Sequence, residues 1–282
     1  MTGKIYLVGA GPGAPDLLTL RASRLLQQAD AVLYDALVHP EVVALARQAK
    51  KIPVGKRCGR HSADQQFINK LLVETARQYP VVVRLKGGDP MLFGRAHEEL
   101  EALTAVGIFW EVVPGITAAS AASAELGVSL TRRGMARSVA FLTHRVKAGA
   151  PPSEWLAAAQ GADTVAFYMA GGTGPQVAAA LLQAGKSPDT PVVWVESASL
   201  PEQRRHATTL GRFSREPPES PQGPALLLVG EVYRECLAAE AGNSSGDRTD
   251  TVADGQTAEK QSGQKRSPTI CPSASPPAKA GP

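Results

Sequence analysis

The sequence predicts an α/β protein of two lobes followed by a disordered tail. Three observations carry that prediction. Strand-length apolar runs alternate with helical segments from residue 4 to residue 113, the pattern of a largely parallel sheet covered by helices. The alternation resumes beyond the turn Pro114-Gly115 and continues to about residue 239. From about Glu240 the chain becomes rich in Ser, Gly, Pro, Thr and Gln and loses its apolar periodicity, a composition too polar to build a core. The expected boundaries are 1–114, 115–239 and 240–282, with a cleft between the lobes as a natural place for a ligand.

Each element has its own signal. Ile5-Tyr6-Leu7-Val8 is a short buried strand that ends in a glycine turn. Leu18, Ala22, Leu25, Leu26 and Ala29 recur at helical spacing, and Ala31-Val32-Leu33-Tyr34 reads as the next strand. Val42, Leu45, Ala46 and Ala49 mark a second helix. Ser62 with Gln65 three residues on is a capping box for a third, which carries Ile68, Leu71, Leu72 and Thr75. Residues 81–85 form a strand, Leu100, Leu103 and Val106 lie on a helix stopped by Gly107, and residues 109–113 form another strand. The second lobe opens with a helix of very small residues, 118–124, closed by Gly127. Its strands are expected at 139–143, 164–169, 192–196 and 225–229, and its helices at 155–159, 175–182 and 232–239.

Composition narrows the function. The longest apolar runs, such as 225–229, are far too short to span a bilayer. The chain enters its first strand at once, so no signal peptide is expected. Cys58, Cys236 and Cys271 are odd in number and scattered, and the histidines lack metal-ligand spacing. That pattern argues against a disulfide framework or a metal site and fits a reducing cytoplasm. The tail holds five basic and five acidic residues, so the formal charge of +4 falls on the folded part. Such an excess is too small to indicate nucleic acid, but it suits an acidic small molecule if clustered.

The turn Gly9-Ala10-Gly11-Pro12-Gly13 departs from a phosphate-binding one. G-x-G-x-x-G runs its third glycine into a helix whose amide end grips a pyrophosphate. Here Pro12 deletes a backbone donor and Pro15 delays the next helix. The turn suits a ligand packed against backbone. Tyr34-Asp35-Ala36-Leu37-Val38 puts an acid at the C-terminal end of a strand, the edge where open α/β sheets bind ligands. Val54-Gly55-Lys56-Arg57-Cys58-Gly59-Arg60-His61 is a basic, glycine-rich loop. In Arg84-Leu85-Lys86-Gly87-Gly88-Asp89-Pro90 the strand-then-glycine arrangement recurs, with Asp89 placed to face a cationic group. Val113-Pro114-Gly115-Ile116-Thr117-Ala118 sets a hydroxyl just past the interlobe turn.

In their order along residues 4–234, GAGPGAPDLLTL, YDALV, GKRCGRH, RLKGGDPMLFGR, VPGITAAS and LTRRGMARS resemble the tetrapyrrole (corrin/porphyrin) methyltransferase family. The resemblance implies the two-lobed fold of that family and a homodimer. It implies S-adenosylmethionine, bound folded between the lobes as methyl donor, with S-adenosylhomocysteine as product and no metal. The implied reaction transfers two methyl groups to uroporphyrinogen III, giving precorrin-2 by way of precorrin-1, toward sirohaem or cobalamin. No nucleic acid or membrane partner is implied.

The same resemblance assigns residues. Pro12 borders the cofactor; Gly87, Gly88 and Asp89 hold its amino-acid end; Thr117 and Ala118 complete that side. Met169, Ala198 and Ala225 lie against the adenine. Asp35 is the candidate base, useful because a methylated pyrrole system must lose a proton, and Lys56 matches the proton-donor position. The implied substrate is rich in carboxylates, which guanidinium forks bind well. Arg57, Arg60 and His61 share one loop, Arg132, Arg133 and Arg137 another, and Arg145 and Lys147 follow a strand. Three departures fall on the acceptor side: Arg132 where the family commonly has His, Ala96-His97 where it has two glycines, and no glycine between Thr143 and His144. Rival readings are an NAD oxidoreductase with Asp35 as its ribose acid, the same fold acting on a later corrin, RNA or protein, and a non-catalytic module that only holds substrate.

Overall fold

The computed structural model describes residues 3–54, 65–144 and 155–245. Five parallel strands form the first sheet in the order β3-β2-β4-β1-β5: β1 (Lys4–Gly9), β2 (Ala31–Tyr34), β3 (Lys50–Pro53), β4 (Val81–Lys86) and β5 (Trp110–Val113). The central β1 and β4 are buried at most positions because helices cover both faces. On one face α1 (Leu20–Gln28) packs Ala22, Leu25 and Leu26 against Val8, Val32 and Val83. Its N-cap Thr19 accepts a hydrogen bond from the Ala22 amide at 3.1 Å. On the other face α3 (Gln65–Gln78) and α4 (Ala96–Ala105) set Leu72, Leu100 and Leu103 on Ile5, Leu7 and Val82. Register aligns Gly9 with Lys86 and Val8 with Val113, so the loops leaving β1, β4 and β5 emerge together at one edge.

The second sheet runs β6-β7-β10-β8-β9, from β6 (Val139–Thr143), β7 (Thr164–Tyr168), β8 (Pro191–Glu196), β9 (Arg204–Thr209) and β10 (Ala225–Gly230). It does not simply repeat the first. The pair β6–β7 is parallel, whereas β7–β10, β10–β8 and β8–β9 are antiparallel. The cause is the connection: a short turn joins β8 directly to β9, and a helical crossover is what a parallel neighbour needs. One face carries α6 (Trp155–Gly161), α7 (Gly174–Gln183) and α8 (Leu210–Arg215) over Phe167, Trp194 and Leu227. The other carries the small-residue helix α5 (Ala118–Leu126), whose Ala119 and Ala122 are fully buried in one cluster with Val193 and Leu228.

Several expectations differ in detail. The strands β3 and β9 went unforeseen because both are polar edge strands, opening Lys50-Lys51 and Arg204-Arg205. The helix expected through Ala49 is the short α2 (Pro40–Ala44); the Leu45 and Ala46 amides close it with bonds three residues back before the chain turns into β3. The last helix, α9 (Arg234–Ser245), runs beyond Glu240, where a tail was expected to begin. The Ser62 capping box and the tail past residue 245 lie outside the described residues. Among the described residues no helix is long and apolar enough to cross a membrane.

Candidate active site

Three glycines bring the loops of the first sheet into backbone contact. A Cβ added to Gly9 would lie 2.6 Å from the Gly115 Cα, and one on Gly115 would press on the Gly88 carbonyl and lie 2.8 Å from the Gly9 Cα. Hydrogen bonds close the same junction. The Gly88 amide donates to the Gly11 carbonyl at 2.7 Å, the Gly11 amide returns a bond to Gly88 at 3.2 Å, and the Ala10 amide donates to Lys86 at 2.7 Å. Gly11 and Gly88 both have left-handed backbone, with φ of 74° and 69°, which glycine adopts without steric cost. A Cβ on Gly88 would meet no heavy atom within 4 Å, so one side of the junction is open.

Asp89 fastens this junction. Its Oδ2 accepts from the Gly115 amide at 2.9 Å and its Oδ1 from the Met91 amide at 2.8 Å. Both carboxylate oxygens therefore already hold backbone, a role the sequence did not suggest for a residue expected to face a cation. The β2 loop abuts the same junction, for a Cβ on Gly87 would sit 2.8 Å from the Leu37 Cβ. Asp35, one residue past β2, accepts from the Leu37 amide at 3.0 Å through Oδ1.

Among the described residues, Ser199 and Tyr168 of the second lobe meet Ala14 and Phe93 of the first. The Ala14 amide donates to Ser199 Oγ at 3.1 Å. The Tyr168 hydroxyl, at the end of β7, lies 2.6 Å from Thr117 Oγ1 and accepts from the Ala119 amide at 3.2 Å. Thr117 thus caps α5 without a side-chain bond to its own helix. The Tyr168 ring stands 5.1 Å from that of Phe93, in the loop after β4. Burial pushes the Tyr168 pKa up, with the Asp89 charge adding to it, so the phenol stays protonated. All five non-glycine residues with positive φ among the described residues, Phe93, Arg95, Met169, Ser197 and Ser199, lie in loops that follow β4, β7 and β8. Strained backbone concentrated on one set of loops is a mark of a functional site.

Met169 is 43% exposed immediately after Tyr168, while Ala198 and Ala225 are buried nearby. Glu196 sets this region. Its Oε1 accepts from the Gln222 and Gly223 amides at 2.6 and 2.7 Å, and its Oε2 from Arg204 Nε at 2.6 Å. The adjacent Ser197 amide donates to the Pro224 carbonyl at 2.9 Å. Burial works to raise the Glu196 pKa, but the Gly223 amide, Arg204 and the Gln222 amide outweigh it and hold the carboxyl low. The stability it supplies is present above the ordinary glutamate value near 4.5 and is lost as pH falls through the depressed native value. Thermal melts of Glu196→Gln are expected to fall below those of the wild type at neutral pH, with the gap narrowing on acidification.

The structure therefore gathers Pro12, Asp35, Gly87, Gly88, Asp89, Thr117 and Ala118 at the C-terminal edge of the first sheet, with Met169, Ala198 and Ala225 on the strand ends of the second. Arg132 and Arg137 are not brought to that junction, and Arg133 is exposed on the turn between them. Arg132 pairs with Glu235 at 2.9 Å, and the Arg137 amide donates to Asp163 at the start of β7, opposite the strand end that leads to Met169. Lys56, Arg57, Arg60, His61, Arg145 and Lys147 lie outside the described residues. Sequence reasoning missed Tyr168, Phe93 and Glu196, each of which reads as an ordinary strand or loop residue. Among the described residues no group of His, Cys, Asp and Glu is arranged to hold a metal ion.

Comparison with known proteins bears on the family and the fold. The model of the tetrapyrrole (corrin/porphyrin) methylases matches residues 4–214. The siroheme synthase of Psychrobacter sp. (strain PRwf-1) is 48% identical over 234 residues, 82% of this chain and 48% of that protein. That of Azotobacter vinelandii is 47% identical over 249 residues, 87% of this chain and 54% of that protein. The chain thus spans about half the length of these relatives. The crystal structure of uroporphyrin III C-methyl transferase from Thermus thermophilus superposes with a TM-score of 0.73 at 42% identity, over 83% of this chain and 100% of that one. The same figures hold for that enzyme complexed with S-adenyl homocysteine. Shared fold, a matching model over most of the folded part and this level of identity converge: the chain belongs to the tetrapyrrole (corrin/porphyrin) methylases.

Proposed function

We propose that the chain is an S-adenosylmethionine-dependent C-methyltransferase that converts uroporphyrinogen III into precorrin-2, feeding sirohaem or cobalamin synthesis. One observation carries the choice of donor. The amides of Ala10, Gly11, Gly88 and Gly115 are all engaged within the fold, that of Ala14 bonds Ser199, and Pro12 has none. A pyrophosphate needs such donors, so an NAD reading finds little to grip. A ligand that lies against glycine backbone fits, and the open side of Gly88 gives it room. The Thermus thermophilus relative complexed with S-adenyl homocysteine supports the same donor.

When bound, S-adenosylmethionine supplies an activated methyl group on sulfur. The task of the chain is then to align two reactants, which is worth about 7–11 kcal/mol in favourable cases. Pro12, Gly87, Gly88, Asp89, Thr117 and Ala118 are proposed to border its amino-acid side, and Met169, Ala198 and Ala225 its adenine. Asp35 is proposed to take the proton released after methylation, with Lys56 as donor. Arg57, Arg60 and the exposed Arg133 are the proposed partners of substrate carboxylates. Arg132, whose guanidinium pairs with Glu235, and Arg137, whose amide is held by Asp163 at the opposite strand end, suit that role less well. The lobes are proposed to divide near residue 114. A homodimer in the cytoplasm is the proposed working state, supported by family resemblance.

Anaerobic incubation with uroporphyrinogen III and S-adenosylmethionine tests the reading. Mass gains of one and then two methyl groups are expected. Methylation of a later corrinoid but not of uroporphyrinogen III would overturn the acceptor, and tighter binding of NAD than of S-adenosylmethionine would overturn the donor. Tyr168→Phe should keep the tilted ring contact with Phe93 and lose the bonds to Thr117 and Ala119. S-adenosylhomocysteine affinity is then expected to fall by about threefold to tenfold in calorimetry.

A further inference from the structure

Below the Asp35 loop, the face of β4 that packs on α3 and α4 carries two cations at alternate positions. Arg84 and Lys86 are 3% and 4% exposed. Buried charge at the centre of a sheet is costly unless it is answered by opposite charge. The buried anion on this face is Glu99 of α4, fully shielded from solvent. Its Oε1 accepts from Arg84 Nε at 3.1 Å, Lys86 Nζ at 2.9 Å and Gln65 Nε2 at 3.3 Å. Its Oε2 is buried and has no hydrogen-bond partner among the described residues. One carboxylate thus faces two cations.

The other carboxylate paired with this cluster is Asp35. Its Oδ2 lies 3.8 Å from Arg84 Nη1, while Oδ1 is tied to the Leu37 amide. Arg84 has little freedom, because Nε is held by Glu99 and Nη1 also donates to the Leu85 carbonyl at 3.1 Å. Asp35 is a quarter exposed, so it stands where the buried cluster meets solvent. Burial and the neighbouring Arg84 lower the Lys86 pKa, while Glu99 and Asp35 act to keep it charged.

We propose that Arg84, anchored by Glu99, is the positioning residue for Asp35: the buried cluster needs a second carboxylate, and this need holds the Asp35 side chain in one orientation at the edge of the site. The proposal rests on the reading that Asp35 acts on the substrate. It explains why a strand that otherwise contributes only apolar core carries two cations just before its glycine loop. Lys86 sustains the charge excess, and Gln65 and Glu99 fix the geometry from the helices.

A double-mutant cycle on the full chain tests it. Arg84→Gln and Arg84→Lys are each made in the wild-type and Asp35→Asn backgrounds, with kcat for methyl transfer, KM for uroporphyrinogen III and S-adenosylhomocysteine affinity measured. Arg84→Gln is expected to lower kcat by about tenfold or more, the scale of a misplaced reacting group, with S-adenosylhomocysteine affinity unchanged. Arg84→Lys should recover part of that loss, and neither substitution should reduce kcat further once Asp35→Asn is present. An equal loss in both backgrounds, or affinity falling in step with kcat, overturns the proposal. Should Arg84 variants not fold, Glu99→Gln removes the anchor while keeping its shape, and the same dependence on Asp35 is expected. Full turnover by Asp35→Asn alone would instead overturn the assignment of Asp35, an outcome visible before any Arg84 variant is made.

Discussion

Asp35→Asn is expected to lower the rate of methyl transfer by about 10²–10⁴-fold, the usual worth of a positioned general base, while S-adenosylhomocysteine binds as before. The asparagine side chain keeps an oxygen for the Leu37 amide, so the loop geometry at 3.0 Å is retained. What is lost is a carboxylate able to accept a proton. The backbone contacts among Gly9, Gly11, Gly88 and Gly115 do not involve this side chain, which is why donor binding and turnover should separate. Single-turnover assays with mass detection, set beside calorimetric titration, measure the two. An equal fall in both would mean that Asp35 shapes the site rather than takes part in the chemistry.

Gly115→Ala is expected to have the second largest effect, and mainly on structure. The new methyl group would press on the Gly88 carbonyl and on Gly9 Cα, which are backbone atoms without a rotamer to yield. The loops after β1, β4 and β5 would have to part, and the 2.9 Å bond from the Gly115 amide to Asp89 would go with them. Overpacking of this kind costs about 1–3 kcal/mol, and S-adenosylhomocysteine affinity should drop with it. Gly161→Ala is the matched control, since its added Cβ meets no heavy atom within 4 Å. Denaturant melts of the two variants should diverge, and equal stability would remove the three-glycine junction from the account of the site.

Much of the fold is legible in the chain because central strands buried on both faces must be apolar. The runs that became β1, β2 and β10 are of that kind, and β4 keeps to it except at Arg84 and Lys86. Edge strands escape this rule, and so β3 and β9, with their lysines and arginines, carry no such signal. Pairing direction in the second sheet is likewise silent in the strand sequences, since it follows from which connections are long enough to cross over. The motifs at strand ends are legible for a different reason. A position that tolerates only glycine leaves a residue-level trace, whether backbone meets backbone as at Gly9 and Gly115 or the chain turns left-handed as at Gly88.

Side-chain roles are less visible. Asp89 stands out in Gly87-Gly88-Asp89-Pro90, yet its carboxylate oxygens turn inward to the Gly115 and Met91 amides. Tyr168 reads as strand core, and only packing brings its hydroxyl to Thr117, 51 residues away. The arginines of 132–137 suggest one basic patch, but the lobe orients Arg132 and the Arg137 backbone toward Glu235 and Asp163.

By itself the sequence determined the α/β class, the family and the loops that meet at the strand ends, because these depend on local periodicity and on positions where a side chain cannot fit. The tertiary structure decided the mixed pairing of the second sheet, the inward engagement of Asp89 and the link from Glu99 through Arg84 to Asp35. Those are relations between residues far apart in the chain, and their energies exist only once burial has removed water from between the partners.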